Sequence, residues 1–413
     1  MRKAAGSKEL SRLLPSGEFS WYNLNKCLFN KQKFGERLMA NEKEKQILAL
    51  IKKNPFISQN EIARELKLSR SAVANYISSL MRKGEIVGRA YILPRERKIT
   101  CIGGANIDQK MYLSGNIKWR TSNPVRTEKS LGGVARNIAE NLGRLGAAVS
   151  LVTALGNDEA GKWLQESTGA WADLSPVMNI SGANTGHYTA IIDGSGEMIV
   201  ALADMGIYDR VAAGQLAERW NHIGSSSFVL LDTNFPKDVI QYVITRCGEE
   251  KIPLAVATVS VPKAEKLPED LSGIKLLIVN RDEAEAVAKT EFSEKNPLPL
   301  ADVLFRRGLE KLVVTAGEKG VFYFDRSGFC GHLPAPEAEV RDVTGAGDAL
   351  AAGVIYGLNE GKDLTSACQI GLACSYLTVQ SEKTVAEELN GELLAETVRN
   401  LWNDTESNME GDF

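Results

Sequence analysis

Apolar residues recur at two different spacings along the chain. Between residues 42 and 83 they return every three or four positions, as in Ile47, Leu50 and Ile51, and this spacing predicts short amphipathic helices. Beyond residue 98, short runs such as FVLL, LLIV and KLVV are apolar throughout and are separated by helical patterns. Strands that are buried on both faces are typical of a parallel sheet between layers of helices. The pattern therefore predicts a small helical domain followed by a larger α/β domain.

The small domain carries clear signals for where its helices begin and end. Ser58 and Glu61 form a capping box, and Ser69 caps a further helix that ends at Lys83 and Gly84. The next residues, EIVGRAYIL, are typical of two short strands around a turn. Helix, short helix, helix and hairpin is the order of a winged helix-turn-helix.

The last helix of this domain and its wing suit the grooves of DNA. The residues expected to contact DNA are Arg70, Ser71, Asn75 and Tyr76 on the helix and Arg89 at the wing tip. Residues 39–98 contain 13 basic and 6 acidic residues, enough to neutralise several phosphates. We predict binding of double-stranded DNA through residues 39–94; the alternative is a domain that only joins subunits or docks on the larger domain.

Charge differs sharply between the two parts of the chain. The whole sequence has a net charge of −3, but residues 1–98 hold 21 basic and 9 acidic residues, against 28 and 43 in the remainder. Such asymmetry favours nucleic-acid contact by the basic part. There is no apolar run long enough for a membrane helix and no secretory signal, so we expect a cytoplasmic protein without membrane contacts.

Cysteine and histidine usage argues against two kinds of site. The six cysteines form no C-x-x-C pair and the three histidines are far apart, which disfavours a disulfide framework and a zinc site. Domain bounds follow from pattern and composition. They are a flexible N-terminal extension at 1–38, a winged helix-turn-helix at 39–94, the α/β domain at 95–403 and an acidic tail at 404–413. Residues 1–38 can equally be an artefact of start-site assignment.

The segment DVTGAGDALAAG, at residues 342–353, carries the most chemistry. Gly345, Ala346 and Gly347 open a helix, whose free N–H groups and dipole attract an anion. Asp348 stands where a carboxylate could take a proton from a hydroxyl while those N–H groups hold a phosphoryl group. An ordinary tight turn before a helix is the alternative. There is no P-loop, and Leu350 replaces the third glycine of a dinucleotide fingerprint.

Several motifs together resemble the ribokinase-like (PfkB) carbohydrate and nucleoside kinases. They are GGANID at 103–108, LGGVARNIAENLGRLG at 131–146, NRDE at 280–283, TAGEKG at 315–320 and DVTGAGDALAAG at 342–353. The resemblance implies a ribokinase-like αβα sandwich with a mostly parallel central sheet. It also implies a small β-lid, which we expect near residues 109–128 and 183–205, where TAIID and MIVAL flank a GSGE turn as an antiparallel hairpin.

The resemblance also implies roles for single residues. Asp348 would be the general base, and Gly345, Ala346 and Gly347 the anion hole. ATP would be bound by Asn280, Thr315, Gly317, Gly320, Gly345 and Gly347. Asn280 and Glu283 would orient hydrated Mg²⁺, although a solvated helix start is a common alternative for such a pair. Asp342 and Thr344 would bind a monovalent cation such as K⁺. The substrate hydroxyls would be bound by Asn106, Asp108, Gly132, Gly133 and Asn137.

Shorter strings narrow the substrate within the family. S122-N123-P124, the form GGVARN, and NRDEAE at 280–285 are similar to bacterial pseudouridine kinases. The resemblance implies phosphorylation of pseudouridine at its 5′-hydroxyl. Ala257 departs from this subgroup, in which we expect an aspartate. Another sugar kinase, or a regulator whose kinase fold only senses a ligand, stays open, but a sensor has no need of Asp348. Relatives pair through their lids, which implies a homodimer.

Overall fold

Two parts of the chain each have an apolar core of their own. The computed structural model describes residues 42–52, 57–86 and 98–402. The chain divides into two units, Met1–Pro94 and Arg95–Phe413. Within the described ranges, no helix combines the length and the apolar character needed to cross a bilayer.

The first unit consists of three described helices. They are α1 at residues 42–52, α2 at Gln59–Glu65 and α3 at Arg70–Arg82. The predicted capping box is confirmed, because Ser58 Oγ accepts from the Glu61 N–H at 3.2 Å and Glu61 Oε2 accepts from the Ser58 N–H at 2.7 Å. Ser69 caps α3 as predicted, accepting from the Ala72 N–H at 3.1 Å.

The apolar stripes of these helices meet in one core. Ile47 and Ile51 of α1, Ile62 of α2 and Val73 and Ile77 of α3 are buried together. The predicted wing with Arg89, the extension at 1–38 and the tail at 404–413 lie outside the described residues.

The second unit alternates strands and helices. Its strands are β1 (Ile99–Ile102), β2 (Asn106–Leu113), β3 (Val125–Gly132), β4 (Val149–Val152), β5 (Ala154–Gly156), β6 (Met178–Ile180), β7 (His187–Ile192), β8 (Met198–Asp204), β9 (Phe228–Asp232), β10 (Leu254–Ala257), β11 (Leu276–Asn280), β12 (Lys311–Thr315), β13 (Val321–Asp325) and β14 (Cys330–Leu333). Its helices are α4 (Val134–Arg144), α5 (Glu159–Thr168), α6 (Ala213–Glu218), α7 (Trp220–Ile223), α8 (Lys237–Glu250), α9 (Val261–Ala264), α10 (Arg281–Ala288), α11 (Leu298–Arg306), α12 (Ala346–Asn359), α13 (Leu364–Val379) and α14 (Gly391–Trp402).

Eight of the described strands form the main sheet, in the order β14-β13-β12-β11-β10-β9-β1-β4. The pairs from β12 to β4 are parallel, whereas β13 and β14 are antiparallel additions at one edge. Alternate residues pack into opposite cores: Phe228 and Leu230 of β9 into one, Val229 and Leu231 into the other. Burial on both faces confirms the αβα sandwich and explains the apolar runs.

The remaining long strands form a separate small sheet in the order β3-β2-β7-β8. The predicted hairpin is confirmed, since β7 and β8 pair antiparallel. β2 pairs antiparallel with β3 and parallel with β7. This small sheet is the predicted lid, and its strand β2 follows the carboxyl end of β1, where the candidate site lies.

Candidate active site

Asp348 lies in the first turn of α12, directly after the glycine-rich loop. The N-cap residue Gly345 has a φ of 86°, and a Cβ there would lie 2.0 Å from the carbonyl oxygen of Thr384. Only glycine fits this position, which explains why the loop has a glycine here. The N–H groups of Gly345 and Gly347 have no acceptor in the described part of the chain, whereas the Ala346 N–H donates to the Val343 carbonyl at 3.2 Å. Two of the three predicted anion-hole donors are thus free.

The surroundings of Asp348 favour its neutral form. Burial raises the pKa of Asp348 to about 7, and the negative charges of Asp232 and Asp108 add to the rise. A hydrogen bond from Asn137 Nδ2 to Asp348 Oδ2, at 2.8 Å, and the charge of Arg136 oppose it. A carboxylate with a pKa close to neutral can take up a proton during a reaction and release it afterwards.

Asn137 is held in place by a buried chain of charged residues on α4. Arg136 is 4% exposed and its Nη1 donates to Asn137 Oδ1 at 2.9 Å. Arg136 also forms an ion pair with Glu140, which in turn accepts from Arg144. The guanidinium fixes which way the Asn137 amide points, so its NH₂ group faces Asp348. Asn137 is predicted to bind a substrate hydroxyl, but in this structure both ends of its amide have protein partners.

Asn106 and Asp108, the predicted sugar-binding pair, open the lid strand β2. Asn106 Nδ2 donates to Asp108 Oδ1 at 2.6 Å, and burial raises the pKa of Asp108. Asn106 lies opposite Gly132 in the β2–β3 register, and a Cβ on Gly132 would lie 2.1 Å from Asp108 Oδ2. A Cβ on Gly133 would lie 2.4 Å from the Gly104 carbonyl oxygen. These glycines therefore make room for the carboxylate and for the neighbouring backbone.

Asp232, at the carboxyl end of β9, is a central residue that the sequence motifs did not reveal. It is fully buried and accepts from the N–H groups of Gly104 at 2.7 Å and Ala135 at 3.1 Å. Asn234 supplies two more donors, its N–H at 2.8 Å and its Nδ2 at 2.9 Å. Asp232 thereby joins the two glycine segments of the sugar side. The sequence signal that could have revealed Asp232 is an aspartate directly after the apolar run FVLL, at the carboxyl end of a predicted strand.

Asn280 and Glu283 form a capping box at the start of α10. Asn280 Oδ1 accepts from the Glu283 N–H and Glu283 Oε2 accepts from the Asn280 N–H, each at 2.9 Å. Glu283 is 5% exposed and also accepts from the Thr258 hydroxyl. Their remaining lone pairs can accept from metal-bound water. Within the described ranges, His, Cys, Asp and Glu form no cluster of three that could hold a metal directly.

The other predicted nucleotide residues lie on the neighbouring strand and the turn after it. Thr315 ends β12 directly beside Asn280 in the parallel register. Gly317 and Gly320 have positive φ angles of 59° and 85° in the following turn. A Cβ on Gly320 would lie 2.0 Å from the Leu333 carbonyl oxygen. The carboxyl ends of parallel strands are the usual place for ligands in such sheets.

Asp342, three residues before Gly345, is engaged on both oxygens. Oδ1 accepts from the N–H and the hydroxyl of Thr344 at 2.8 and 2.6 Å. Oδ2 accepts from the ammonium of Lys110, on lid strand β2, at 2.7 Å. The predicted monovalent-cation pair therefore already holds a cationic group from the protein.

The predicted DNA-contacting residues of α3 differ in their exposure to solvent. Arg70, Ser71 and Asn75 are exposed, whereas Tyr76 is half-buried and packs against the core of the first unit. Arg89 lies outside the described residues.

Known proteins resemble both units. Residues 96–389 match the pfkB family of carbohydrate kinases, and residues 41–87 match a winged helix-turn-helix DNA-binding family. The uncharacterized sugar kinase YeiI of Escherichia coli is 32% identical over 342 residues, covering 82% of this chain and 93% of that protein. The pseudouridine kinase of Escherichia coli is 31% identical over 296 residues, covering 71% of this chain and 93% of that protein.

A solved structure shows the same fold. Arabidopsis thaliana ribokinase, complexed with ribose and ATP, superposes with a TM-score of 0.67 at 18% identity, covering 74% of this chain and 99% of that one. The αβα sandwich of this chain therefore carries the family motifs, the lid sheet and the helix that begins after Gly345. The chain belongs to the pfkB family of carbohydrate kinases and carries an N-terminal winged helix-turn-helix domain.

Proposed function

We propose that this protein is an ATP-dependent kinase that phosphorylates the 5′-hydroxyl of a nucleoside, with pseudouridine as the substrate and pseudouridine 5′-phosphate as the product. The observation that carries the proposal is Asp348, held with a pKa of about 7 on the glycine-led first turn of α12. A base and an anion site so close together suit transfer of a phosphoryl group to an alcohol.

The chemistry follows from this turn. Asp348 accepts the proton of the 5′-hydroxyl as its oxygen forms a bond to the γ-phosphorus of ATP. The bond from that phosphorus to the bridging oxygen breaks, and ADP leaves with the electron pair. The free N–H groups of Gly345 and Gly347 donate to the phosphoryl oxygens, where negative charge concentrates. Asn137 keeps the Asp348 carboxylate oriented toward the hydroxyl.

The remaining substrate hydroxyls have suitable partners on the lid strand. Asp108 can accept from two adjacent hydroxyls, and Asn106 fixes the carboxylate from one side. Gly132 and Gly133 lack the Cβ atoms that would fill the space beside Asp108 and Gly104. A sugar ring therefore fits against backbone as well as carboxylate.

The nucleotide lies, in this proposal, along Asn280, Thr315, Gly317 and Gly320. Arabidopsis ribokinase, which has this fold, was solved with ATP, and this supports ATP as the donor here. When bound with the phosphates, Mg²⁺ would neutralise part of their charge. Asn280 and Glu283 would hold Mg²⁺ through its water shell, because Asn280 Oδ1 and Glu283 Oε2 each already accept one hydrogen bond in the helix cap and keep a lone pair or a second oxygen for metal-bound water.

A substrate panel tests the proposal. Purified protein is incubated with ATP, Mg²⁺ and pseudouridine, uridine, adenosine, ribose or fructose, and ADP release and the phosphorylated product are measured. We expect turnover of pseudouridine by the wild type, and a rate roughly 10²- to 10⁴-fold lower for the Asp348→Asn variant. Turnover of another compound without pseudouridine would reject the substrate and keep the kinase; no turnover of any would count against the kinase.

A second substrate class is favoured by one residue. Ala257 ends β10 and is 5% exposed, where we expect an aspartate in pseudouridine kinases. Without that carboxylate the contacts to the base or to the nucleotide differ from those of the subgroup, and a kinase for another sugar or nucleoside becomes the second candidate. The panel distinguishes the two.

We also propose that the first unit binds double-stranded DNA and that the protein is a cytoplasmic homodimer. Exposed Arg70, Ser71 and Asn75 on α3 support DNA contact. The lid exposes the apolar side chains Met198 and Leu202, at 59% and 56%, which supports pairing of two lids. Sedimentation of the full chain tests the dimer, and a gel shift on DNA upstream of its own operon tests the DNA contact. A monomer, or no salt-sensitive shift, would reject the corresponding proposal.

A further inference from the structure

The loop before the anion hole contains a carboxylate whose neighbours do not fit a free monovalent cation. Asp342 Oδ1 accepts twice from Thr344, from its N–H at 2.8 Å and its hydroxyl at 2.6 Å. Oδ2 accepts from Lys110 Nζ at 2.7 Å. A carboxylate offers about four lone-pair positions in all, so three of those on Asp342 are occupied.

Charge disfavours a second cation as well. A K⁺ ion on the remaining lone pair of Oδ2 would stand close to the Lys110 ammonium, and the two positive charges would repel each other. The Thr344 hydroxyl donates its hydrogen to Asp342, so its position is fixed by that carboxylate. The lysine side chain is 37% exposed and that of Asp342 22%, so the pair is partly shielded from solvent.

We infer that the Lys110 ammonium takes the place of a bound monovalent cation beside the anion-hole loop, and that this enzyme therefore turns over without K⁺. An ammonium group and K⁺ carry the same charge and are similar in size. Lys110 neutralises Asp342 and holds the loop that leads through Thr344 to Gly345. The inference rests on the proposed kinase function and goes beyond it.

Lys110 lies on the same lid strand as Asp108. Lys110 and Asp108 are two residues apart on β2, so their side chains leave the same face of the lid. Lys110 lies opposite Glu128 of β3 and beside Ala190 of β7, within the lid sheet. The cation is thus attached to the element that carries the proposed substrate-binding carboxylate Asp108.

The test compares monovalent salts. Initial rates of the full-length protein are measured with KCl, NaCl or tetramethylammonium chloride at about 0.1 M, where exposed charges are already screened over roughly 10 Å. We expect the wild type to have the same rate in all three salts. Lys110→Met should lose about tenfold in tetramethylammonium chloride, as is common when a supporting partner of a site is removed, and regain it in KCl. Lys129→Met, an exposed lysine on lid strand β3, is the matched control and should behave like the wild type.

A second measurement does not depend on activity. Thermal unfolding of Lys110→Met should shift upward in KCl relative to tetramethylammonium chloride, whereas wild type and Lys129→Met should show no K⁺-specific shift. Should Lys110→Met not fold, Lys110→Gln serves in its place. A wild type that requires K⁺, or a folded variant indifferent to K⁺ in both measurements, overturns the inference. If no substrate is turned over at all, the proposed function fails, but the unfolding comparison still decides the role of Lys110.

Discussion

Single carboxylates define the chemistry of the kinase unit. Asp348, Asp108 and Asp232 come from three distant segments, and their mutual repulsion adds to the effect of burial on Asp348. The arrangement raises the pKa of Asp348 to about 7, so this carboxyl group can exchange a proton at physiological pH. Asp232 serves a different purpose, since its buried oxygens are taken up by backbone and amide donors.

The pKa of Asp348 predicts the pH dependence of the reaction. Because the base must be deprotonated, kcat/KM of the free enzyme should rise with pH through about 7. Asp348→Asn should lower kcat by roughly 10²- to 10⁴-fold and leave substrate binding in place. Rates measured from acidic to alkaline pH, with calorimetric titration of the nucleoside into the variant, check both. A flat pH profile, or a variant with normal turnover, would remove Asp348 from this role.

The raised pKa of Asp348 also predicts how the stability of the folded protein changes with pH. The pKa of Asp348 in the folded protein, about 7, lies above its ordinary value of 3.8, so its favourable contribution is complete at low pH and is lost as pH rises through about 7. Asp348→Asn should therefore be more stable than the wild type at pH 8, by about 1 kcal/mol or more, since one pKa unit is worth ~1.4 kcal/mol. Urea unfolding at several pH values measures this. A difference that does not grow with pH would contradict it.

Asp232→Ala should destabilise the kinase unit severely. The substitution leaves four buried donors, from Gly104, Ala135 and Asn234, without their acceptor. Each unsatisfied donor costs about 1–3 kcal/mol, so a loss of about 3 kcal/mol or more is expected. Asp302→Ala, at an exposed position on α11, is the control and should change little. Equal unfolding midpoints for the two variants would show that the network is not needed.

At the scale of elements, the start of α12 decides where the proposed anion site lies. The helix begins at a glycine whose φ is positive and whose missing Cβ makes room for the Thr384 carbonyl. The lid is the second decisive element, because its strand β2 brings both Asp108 and Lys110 to the site.

Two glycines of the same turn should respond oppositely to alanine. Gly345→Ala combines an unfavourable φ of 86° with a contact of 2.0 Å to backbone, and it should destabilise the protein by about 1–3 kcal/mol. Gly347→Ala meets nothing within 4 Å and lies inside the helix, so it should be neutral or stabilise by up to ~1 kcal/mol. Thermal unfolding of the two variants compares them directly. The opposite order would mean that the loop is not constrained as described.

At the scale of the whole molecule, the two parts of the chain differ in the sign of their net charge. The basic first part and the acidic remainder carry opposite net charge although the chain as a whole carries −3. In the proposed function, the acidic part binds anionic nucleotide through local N–H groups rather than through its overall field.

The first unit should bind DNA in a salt-dependent way. Arg70→Glu on the exposed surface of α3 should weaken binding of the full chain at least about tenfold and flatten its salt dependence, because counterion release falls with each lost phosphate contact. Lys362→Glu makes the same charge change at an exposed position of the kinase unit and should leave DNA affinity unaltered. Fluorescence anisotropy at several salt concentrations distinguishes them. An equal effect of both variants would indicate bulk charge rather than a DNA-reading helix.

Local signals in the sequence determined much of this protein. The caps at Ser58 and Ser69, the hairpin of β7 and β8, and the glycine-led start of α12 each depend on residues close together in the chain. For that reason, periodicity and turn chemistry predicted them, and the family motifs placed Asp348 at its helix start.

Only the tertiary structure decided which distant groups meet. Asn137 lies 211 residues from Asp348, Asp232 lies 128 from Gly104, and Lys110 lies 232 from Asp342. No local pattern records that the Asn137 amide meets Asp348, or that a lid lysine pairs with Asp342. These contacts depend on the order of strands in two sheets, because strand order brings remote segments to one edge.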